Sequence, residues 1–278
     1  MMNQPLFSGW RRDDEDWNII RAMPGIDDLD PMMRARGYEY ATVDPRKALK
    51  VEDQGQQGAC QGHAVSTCTE WAHIIQMGSN NLQLSRAYGY YESQRIDSIS
   101  GDSGSTITGG CKLASTTGIP EERLWPYPGS YNSRRPGGWS QILTNALMYK
   151  IGKTYRLRTY KDISQFLGAG QGGINIGMSW GSSMNKPVVE NFQPGGGGHA
   201  ISLISMSERT DSNGDHYVWM LNSWGKRFGN DGWSEWAPRA VRKIMDHNFS
   251  VAIGLSDLPN ISPRPWDLDR WQKELRVI

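Results

Sequence analysis

The sequence predicts an α+β fold, with helices filling the first half of its core and strands the second. Three observations carry this. After Cys60, apolar or small residues fall at Ala64, Cys68, Trp71 and Ile75, a helical spacing that ends near Gly78. A second helical pattern runs from about Ser85 to Arg95, followed by loops up to Pro136. From residue 151 strand-like runs recur at Tyr155–Tyr160, Gly173–Trp180, Gly198–Met206, His216–Asn222 and Phe249–Ile253.

The first helix carries the chemistry. Asp53-Gln54-Gly55-Gln56-Gln57-Gly58-Ala59-Cys60 is a glycine-broken turn that delivers a cysteine to the first helical turn. Unpaired N–H groups and the helix dipole at that end favour a thiolate over a thiol. In the second half, His199 opens one strand and Asn222 closes the next. Asp211-Ser-Asn-Gly214 between them makes a hairpin turn. The midpoint of 199 and 222 falls at that turn, so the two residues sit roughly opposite each other. An asparagine oxygen there fixes the tautomer of an imidazole, and a Cys–His–Asn constellation follows.

Composition bounds the rest. A chain of 278 residues buries a sizeable core in one or two compact domains. A net charge of +1 gives no basis for nucleic acid or an anionic membrane as partner. No run of 18 apolar residues occurs, and the start lacks a signal peptide's apolar core, so synthesis in a cytoplasm is expected. A virion or larger assembly is the other location considered. Of the three cysteines, Cys68 and Cys111 are expected as buried free thiols rather than a bridge.

Neither a cofactor nor a metal is expected. Gly168-Ala-Gly-Gln-Gly-Gly173 fits G-x-G-x-x-G but precedes a strand instead of opening a helix, so it fails as a dinucleotide site. Asp211–Asp215 lacks the spacing and terminal glutamate of a calcium loop. No Cys/His spacing suggests zinc. His63 lies too close to Cys60 on one helix to act as its base, and His73, His216 and His247 read as core or surface residues.

Gln54-Gly-Gln-Gln-Gly-Ala-Cys60, Gly198-His199-Ala200 and Asn222-Ser-Trp-Gly225, with Gly229-Asn-Asp-Gly232-Trp233, together resemble the motifs of papain-family cysteine peptidases. Asp102-Ser-Gly104-Ser105, Gly118-Ile-Pro120 and Trp125-Pro-Tyr127 also resemble the middle of that domain. The resemblance runs from about residue 43 to 255. It implies a papain-like two-lobed fold: a helical lobe (about 43–150) faces an antiparallel sheet or barrel lobe (about 151–255) across a cleft. It implies cysteine endopeptidase activity on a peptide or protein, with Cys60 as nucleophile and His199 as acid and base. Asn222 would orient His199, and Gln54 would stabilise the oxyanion. On the substrate side it implies Gly104 and Ser105, which offer backbone to an extended peptide. Gly198 and Trp224 belong there too, and Trp224 also shields the Asn–His hydrogen bond. Gly177, Met178 and Ser179 are the expected side-chain pocket.

Two departures stand out. Gln57 replaces a cysteine that usually forms a disulfide, and Gln61 replaces an aromatic residue after the nucleophile, removing part of a wall beside the thiol. Phe228 for a second tryptophan is neutral. The alternatives are a papain-like fold kept as a structural or binding component, and transfer of the acyl group to an amine by the same residues. Outside the matched region, residues 1–42 read as a surface strap or short pro-like segment, with a solvated acidic run at Asp13–Asp16. Residues 256–278 read as a tail whose Trp271, Leu275 and Ile278 share a helix face for a protein partner.

Overall fold

The computed structural model describes residues 9–11, 20–26, 44–77 and 82–256. Its centre is helix α1, Cys60–Met77, buried on every side from residue 60 to 75. The sequence pattern predicts a one-sided helix. The difference arises because α1 lies between α2 (Arg86–Ile96) and α3 (Ile107–Thr116) on one flank and a sheet on the other. Toward the sheet it presents Cys60, Ala64, Cys68 and Ala72, four small side chains at intervals of four. Strand backbone therefore approaches closely: the Ala200 N–H points at Cys60 Sγ (3.4 Å), and Ser202 Oγ donates to the Ala64 carbonyl (3.1 Å). A Cβ on Gly173 would stand 2.9 Å from Cys68 Cα. On the other flank, Gly62 lets α1 touch α2 backbone to backbone, since a Cβ there would lie 2.6 Å from Tyr90 N and Cα.

A helix buried all round must satisfy its polar side chains internally. Ser105 Oγ donates to Gln61 Oε1 (2.8 Å), Ser66 Oγ to the Ser85 carbonyl (3.2 Å) and Thr69 Oγ1 to the Val65 carbonyl (2.8 Å). Glu70 receives both terminal nitrogens of Arg86, one at 2.9 Å, and the Leu84 N–H at 2.6 Å. Both side chains are 1 % exposed, so this ion pair lies in the core.

The stretch from Arg95 to Pro136, expected as loops, holds one α-helix, α3, and a further helix follows it. Thr106 caps α3 by accepting from Gly109 N (2.9 Å), and α4 spans Trp139–Leu147. Gly109 and Gly110 weaken the helical signal of α3, yet packing demands them. A Cβ on Gly110 would fall 1.6 Å from Gln61 Nε2.

The second half builds a seven-stranded sheet in the order β3-β9-β4-β6-β7-β8-β5. Its strands are β3 (Lys153–Leu157), β4 (Ile174–Trp180), β5 (Val188–Val189), β6 (Gly197–Thr210), β7 (His216–Leu221), β8 (Trp233–Trp236) and β9 (Val251–Ser256). All pairs are antiparallel except β5 with β8. The expected strand to Tyr160 stops at Leu157, because Thr159 and Asp162 form a capping box that starts α5 (Tyr160–Gly168). Gly170–Gly173 then leads from α5 into β4, so this glycine-rich run opens a strand. A sixth helix, α6 (Pro238–Asp246), packs beside α5.

Alternation along β6 divides the interior in two. Ala200 joins the core beneath α1, α2 and α3, whereas Ile201 and Leu203 join a second core with Ile163, Phe166 and Val241. These are the two lobes. The β6–β7 register pairs Ser202 with Leu221, so Asn222 faces Ile201 and His199 lies two residues along the same face. The two are roughly opposite rather than directly paired because the turn lies beyond their midpoint, with Thr210 paired to His216. The register shifts between Leu203 and Ser205 and between Met206 and Thr210 add residues to β6 and bring them back within two positions.

Cys60, Cys68 and Cys111 are buried, and none is in a disulfide. Among the described residues no helix is long and apolar enough to cross a membrane, and no cluster of three His, Cys, Asp or Glu is placed to hold a metal ion. The acidic run Asp13–Asp16 and the helical stripe of the tail lie outside the described residues.

The core ion pair makes a test. Glu70→Gln leaves the Arg86 guanidinium buried without a counter-charge, and about 3–5 kcal/mol of stability should be lost. Denaturant unfolding of the two proteins measures it, and a loss under about 1 kcal/mol would show that the pair is hydrated.

Candidate active site

The turn before the nucleophile is held by side chains. Gln57 Nε2 donates to the Pro128 carbonyl (2.7 Å), and Tyr91 donates its hydroxyl to Gln57 Oε1 (2.9 Å). Gly58 N and the Tyr90 hydroxyl both donate to Asp102 Oδ1 (2.8 Å each). In place of the family's usual disulfide, four hydrogen-bonded side chains, Gln57, Tyr90, Tyr91 and Asp102, fix this turn. Gln61, in place of an aromatic residue, turns inward. It is fully buried and bound to Ser105, so it ties α1 to the 104–106 segment and forms no wall beside the thiol.

Gln54 is tied to the Asn222 segment. Its N–H donates to the Ser223 carbonyl (2.8 Å), Ser223 Oγ donates to its Oε1 (2.6 Å), and its Nε2 donates to the Gln57 carbonyl (2.8 Å). Its amide orientation is thus set with the NH₂ toward the turn that carries Cys60. Across the cleft His199 Nε2 bonds Asn222 Oδ1 (2.8 Å), which also accepts from Ser223 N (2.8 Å). That carboxamide oxygen makes Nε2 the protonated nitrogen and leaves Nδ1 as the reactive one.

Two indoles hold the imidazole. Trp224 stacks on it (centroids 4.6 Å apart, 28° between planes) and Trp180 meets it edge-on (4.8 Å, 83°). Trp224, counted above on the substrate side, therefore backs the histidine. Trp180 closes a strand-like run, and the sequence carries no signal for its part here. Phe228 packs on Trp224 (5.7 Å). Of the expected pocket, Met178 is fully buried in the second core and Ser179 Oγ donates to the Gly195 carbonyl (2.7 Å). Only Gly177 and Gly198 border the cleft, as the next contacts show.

That cleft is filled by the chain itself. Trp10–Arg11, strand β1, pairs in parallel with Ser105–Thr106, strand β2, and Ser105 N donates to the Gly9 carbonyl (2.9 Å). Gly104, at φ +80°, accepts this approach only as glycine, because a Cβ would lie 2.1 Å from Gly9 O. The Trp10 indole packs edge-on to Phe249 (4.6 Å). It sits where a Cβ on Gly177 or Gly198 would come within 2.4 or 2.9 Å of its ring. The segment expected on the surface thus covers Gly104, Ser105, Gly198 and the nucleophile.

Charge follows burial. Cys60 is 0 % exposed; burial pushes its thiol up to about 12, against weaker lowering by the N–H groups of Ala200, Gly9 and Gln61. Burial also pushes His199 down to about 4, offset in part by its bond to Asn222. The sequence leads one to expect a thiolate at this helix start. With the cleft covered the pair is neutral, because desolvation outweighs the helix end.

A cysteine at a helix start, a histidine held by an asparagine and a glutamine beside the thiol define the class of thiol-dependent acyl-transfer hydrolases. Residues 40–251 match the papain family cysteine protease profile, and the chain belongs to that family. Solved structures agree on the fold. Xylellain, a cysteine protease from Xylella fastidiosa, is 21% identical with a TM-score of 0.71, over 93% of this chain and 100% of that one. Digestive procathepsin L 3 of Tenebrio molitor larval midgut is 17% identical with a TM-score of 0.63, over 84% and 73%. The Carica candamarcensis cysteine protease CMS1MS2, in complex with E-64, is 18% identical with a TM-score of 0.60, over 79% and 99%. The protein is a cysteine endopeptidase that acts on peptide substrates.

Two outcomes follow from the geometry and the charges. Trp10→Ala removes most of the strap's buried surface, so alkylation of Cys60 at pH 7 should quicken tenfold or more, about 1.4 kcal/mol of opening. Equal rates would show that the strap does not control access. Separately, burial lowers His63 to about 3 and His73 and His199 to about 4. Below their ordinary 6.5 the unfolded chain binds protons that the folded chain refuses, so stability falls as pH drops from about 6.5 to 4. Each histidine contributes up to ~1.4 kcal/mol per pH unit. His73→Phe, away from the site, should reduce the slope of melting temperature against pH over that range by about a third; an unchanged slope would place His73 in contact with water.

Proposed function

We propose that this endopeptidase uses Cys60 as nucleophile, His199 as acid and base, Asn222 as the orienter of His199 and Gln54 as oxyanion donor. The supporting observation is convergence: three elements distant in sequence come together around the start of α1, and His199 Nδ1 is buried with no hydrogen-bond partner among the described residues. The stripe on α1 aims Cys60 at β6, His199 precedes Ala200 on that strand, and Ser223 joins Gln54 to the residue after Asn222.

Once the cleft opens, His199 Nδ1 takes the thiol proton and the sulfur attacks the peptide carbonyl carbon. Negative charge collects on the carbonyl oxygen, to which the Gln54 amide and the Cys60 N–H at the start of α1 donate. Collapse breaks the C–N bond, and the proton on Nδ1 passes to the leaving amine. His199 then removes a proton from water, whose oxygen attacks the thioester and frees Cys60. Asn222 keeps Nε2–H engaged throughout, so Nδ1 remains the working nitrogen. The 104–105 backbone, occupied by the strap at rest, is the edge along which an extended substrate pairs, with Gly198 flanking it.

On the same reading residues 9–11 hold the enzyme closed. The strap directs the Gly9 N–H at the thiol. The carbonyl of Gly9, in the following peptide group, accepts from Ser105 N (2.9 Å).

Substitution orders these roles. Cys60→Ala and His199→Ala should abolish turnover, Gln54→Ala should lower kcat on the order of a hundredfold, and Asn222→Ala should reduce it without eliminating it. Steady-state hydrolysis of a fluorogenic peptide reads all four. Full activity in Gln54→Ala would remove that residue from the oxyanion site.

A further inference from the structure

Three residues beyond the nucleophile, His63 is 2 % exposed on α1. Its Nδ1 lies 3.0 Å from the Ala59 carbonyl, and a carbonyl only accepts, so Nδ1 carries the proton. Nε2 is then a bare acceptor, and the ring stays neutral in its buried place. The ring also stands edge-on to Tyr127 (4.6 Å, 83°), whose hydroxyl donates to the Gln54 carbonyl (3.0 Å).

Facing it is an asparagine with the opposite need. Asn222 spends Oδ1 on His199 and on Ser223 N, while its Nδ2 is buried and has no hydrogen-bond partner among the described residues. His63 and Asn222 line one cavity of about 10 Å³, whose other polar lining residues are Glu52, Thr67, Ser202 and Ser223. That is room for about one water molecule, and the two side chains supply the acceptor and the donor such a water needs. The alternative amide orientation is barred on the other side. It would turn Nδ2 toward the Ser223 N–H and the His199 Nε2–H, two donors against a donor.

We propose that His63 is a positioning residue for this peptidase: through one water in the cavity it holds the Asn222 amide in the orientation that keeps His199 aligned with Cys60. It explains why a histidine that cannot reach the substrate is buried beside the catalytic groups. The proposal rests on the roles assigned above to His199 and Asn222, and the test separates the two.

The test is a double-mutant cycle on the full-length chain, with kcat measured on a fluorogenic peptide and melting temperature alongside. His63→Phe keeps a ring against Tyr127 and removes Nε2. It should lower kcat about tenfold when Asn222 is present and less than twofold in an Asn222→Ala background. His63→Gln, which restores an acceptor at similar reach, should recover most of the loss. Equal factors in both backgrounds would reduce His63 to a packing residue and overturn the proposal, as would an unchanged kcat in His63→Phe alone. Should Asn222→Ala itself leave kcat unchanged, the assigned role of Asn222 falls, and the proposal with it. If His63→Phe does not fold, His63→Leu enters the same cycle with the same outcomes.

Discussion

The contact between α1 and the strands beside it constrains everything else in the molecule. Cys60, Ala64, Cys68 and Ala72 form a seam without bulk, and the glycines at 172 and 173 meet it without side chains. That seam sets the height of the helix over β6 and aims the sulfur at the Ala200 N–H. A larger residue in the stripe would lift the helix, and overpacking of this kind costs about 1–3 kcal/mol before any chemistry is lost. The opposite flank is equally committed, because Gly62 rests on the backbone of Tyr90. With no free side, α1 cannot leave its polar residues to water. The Glu70–Arg86 pair and the Gln61–Ser105 bond are consequences of that placement.

The nucleophile helix, the hairpin and the identity of the four central residues were legible in the sequence because each rests on short-range pattern. Helical spacing after Cys60, turn chemistry at Asp211–Gly214 and the motifs at either end need no knowledge of tertiary contacts. What escaped depends on contacts across the chain. Helix α3 hides behind Gly109 and Gly110, whose missing side chains make room for Asp97 and Gln61. The start of α5 was hidden by Tyr155–Tyr160, which alternates like a strand until the Thr159–Asp162 box overrides it. Burial of α1 on every side was hidden for the same reason: its polar face reads as solvated until Arg86 and Ser105 are brought to it.

The site shows the same division. Residue types point to the groups proposed to react, but not to the groups that hold them. Trp180 and the Gln57 hydrogen bonds have no signature, since each is defined by a partner far along the chain. Gln57 is instructive because it stands where a disulfide is expected. A cross-link acts on the unfolded chain by shortening a loop, whereas two hydrogen bonds act only on the folded turn. The turn is therefore aligned without being tethered, and its geometry depends on Tyr91 and Pro128 staying in place.

Burial serves the resting enzyme in two ways at once. Gly9 and Trp10 fill the cleft, and the same exclusion of water moves both titrating groups toward neutrality. Burial pushes the thiol up and so leaves little thiolate in the covered site at pH 7. Removing the strap returns solvent to Sγ and Nδ1. The helix start and the Ala200 N–H then act against a smaller desolvation term, and transfer of the proton from sulfur to imidazole becomes favourable. Access and ionisation are thereby one event, governed by how tightly two residues pack between Gly104, Gly177, Gly198 and Phe249.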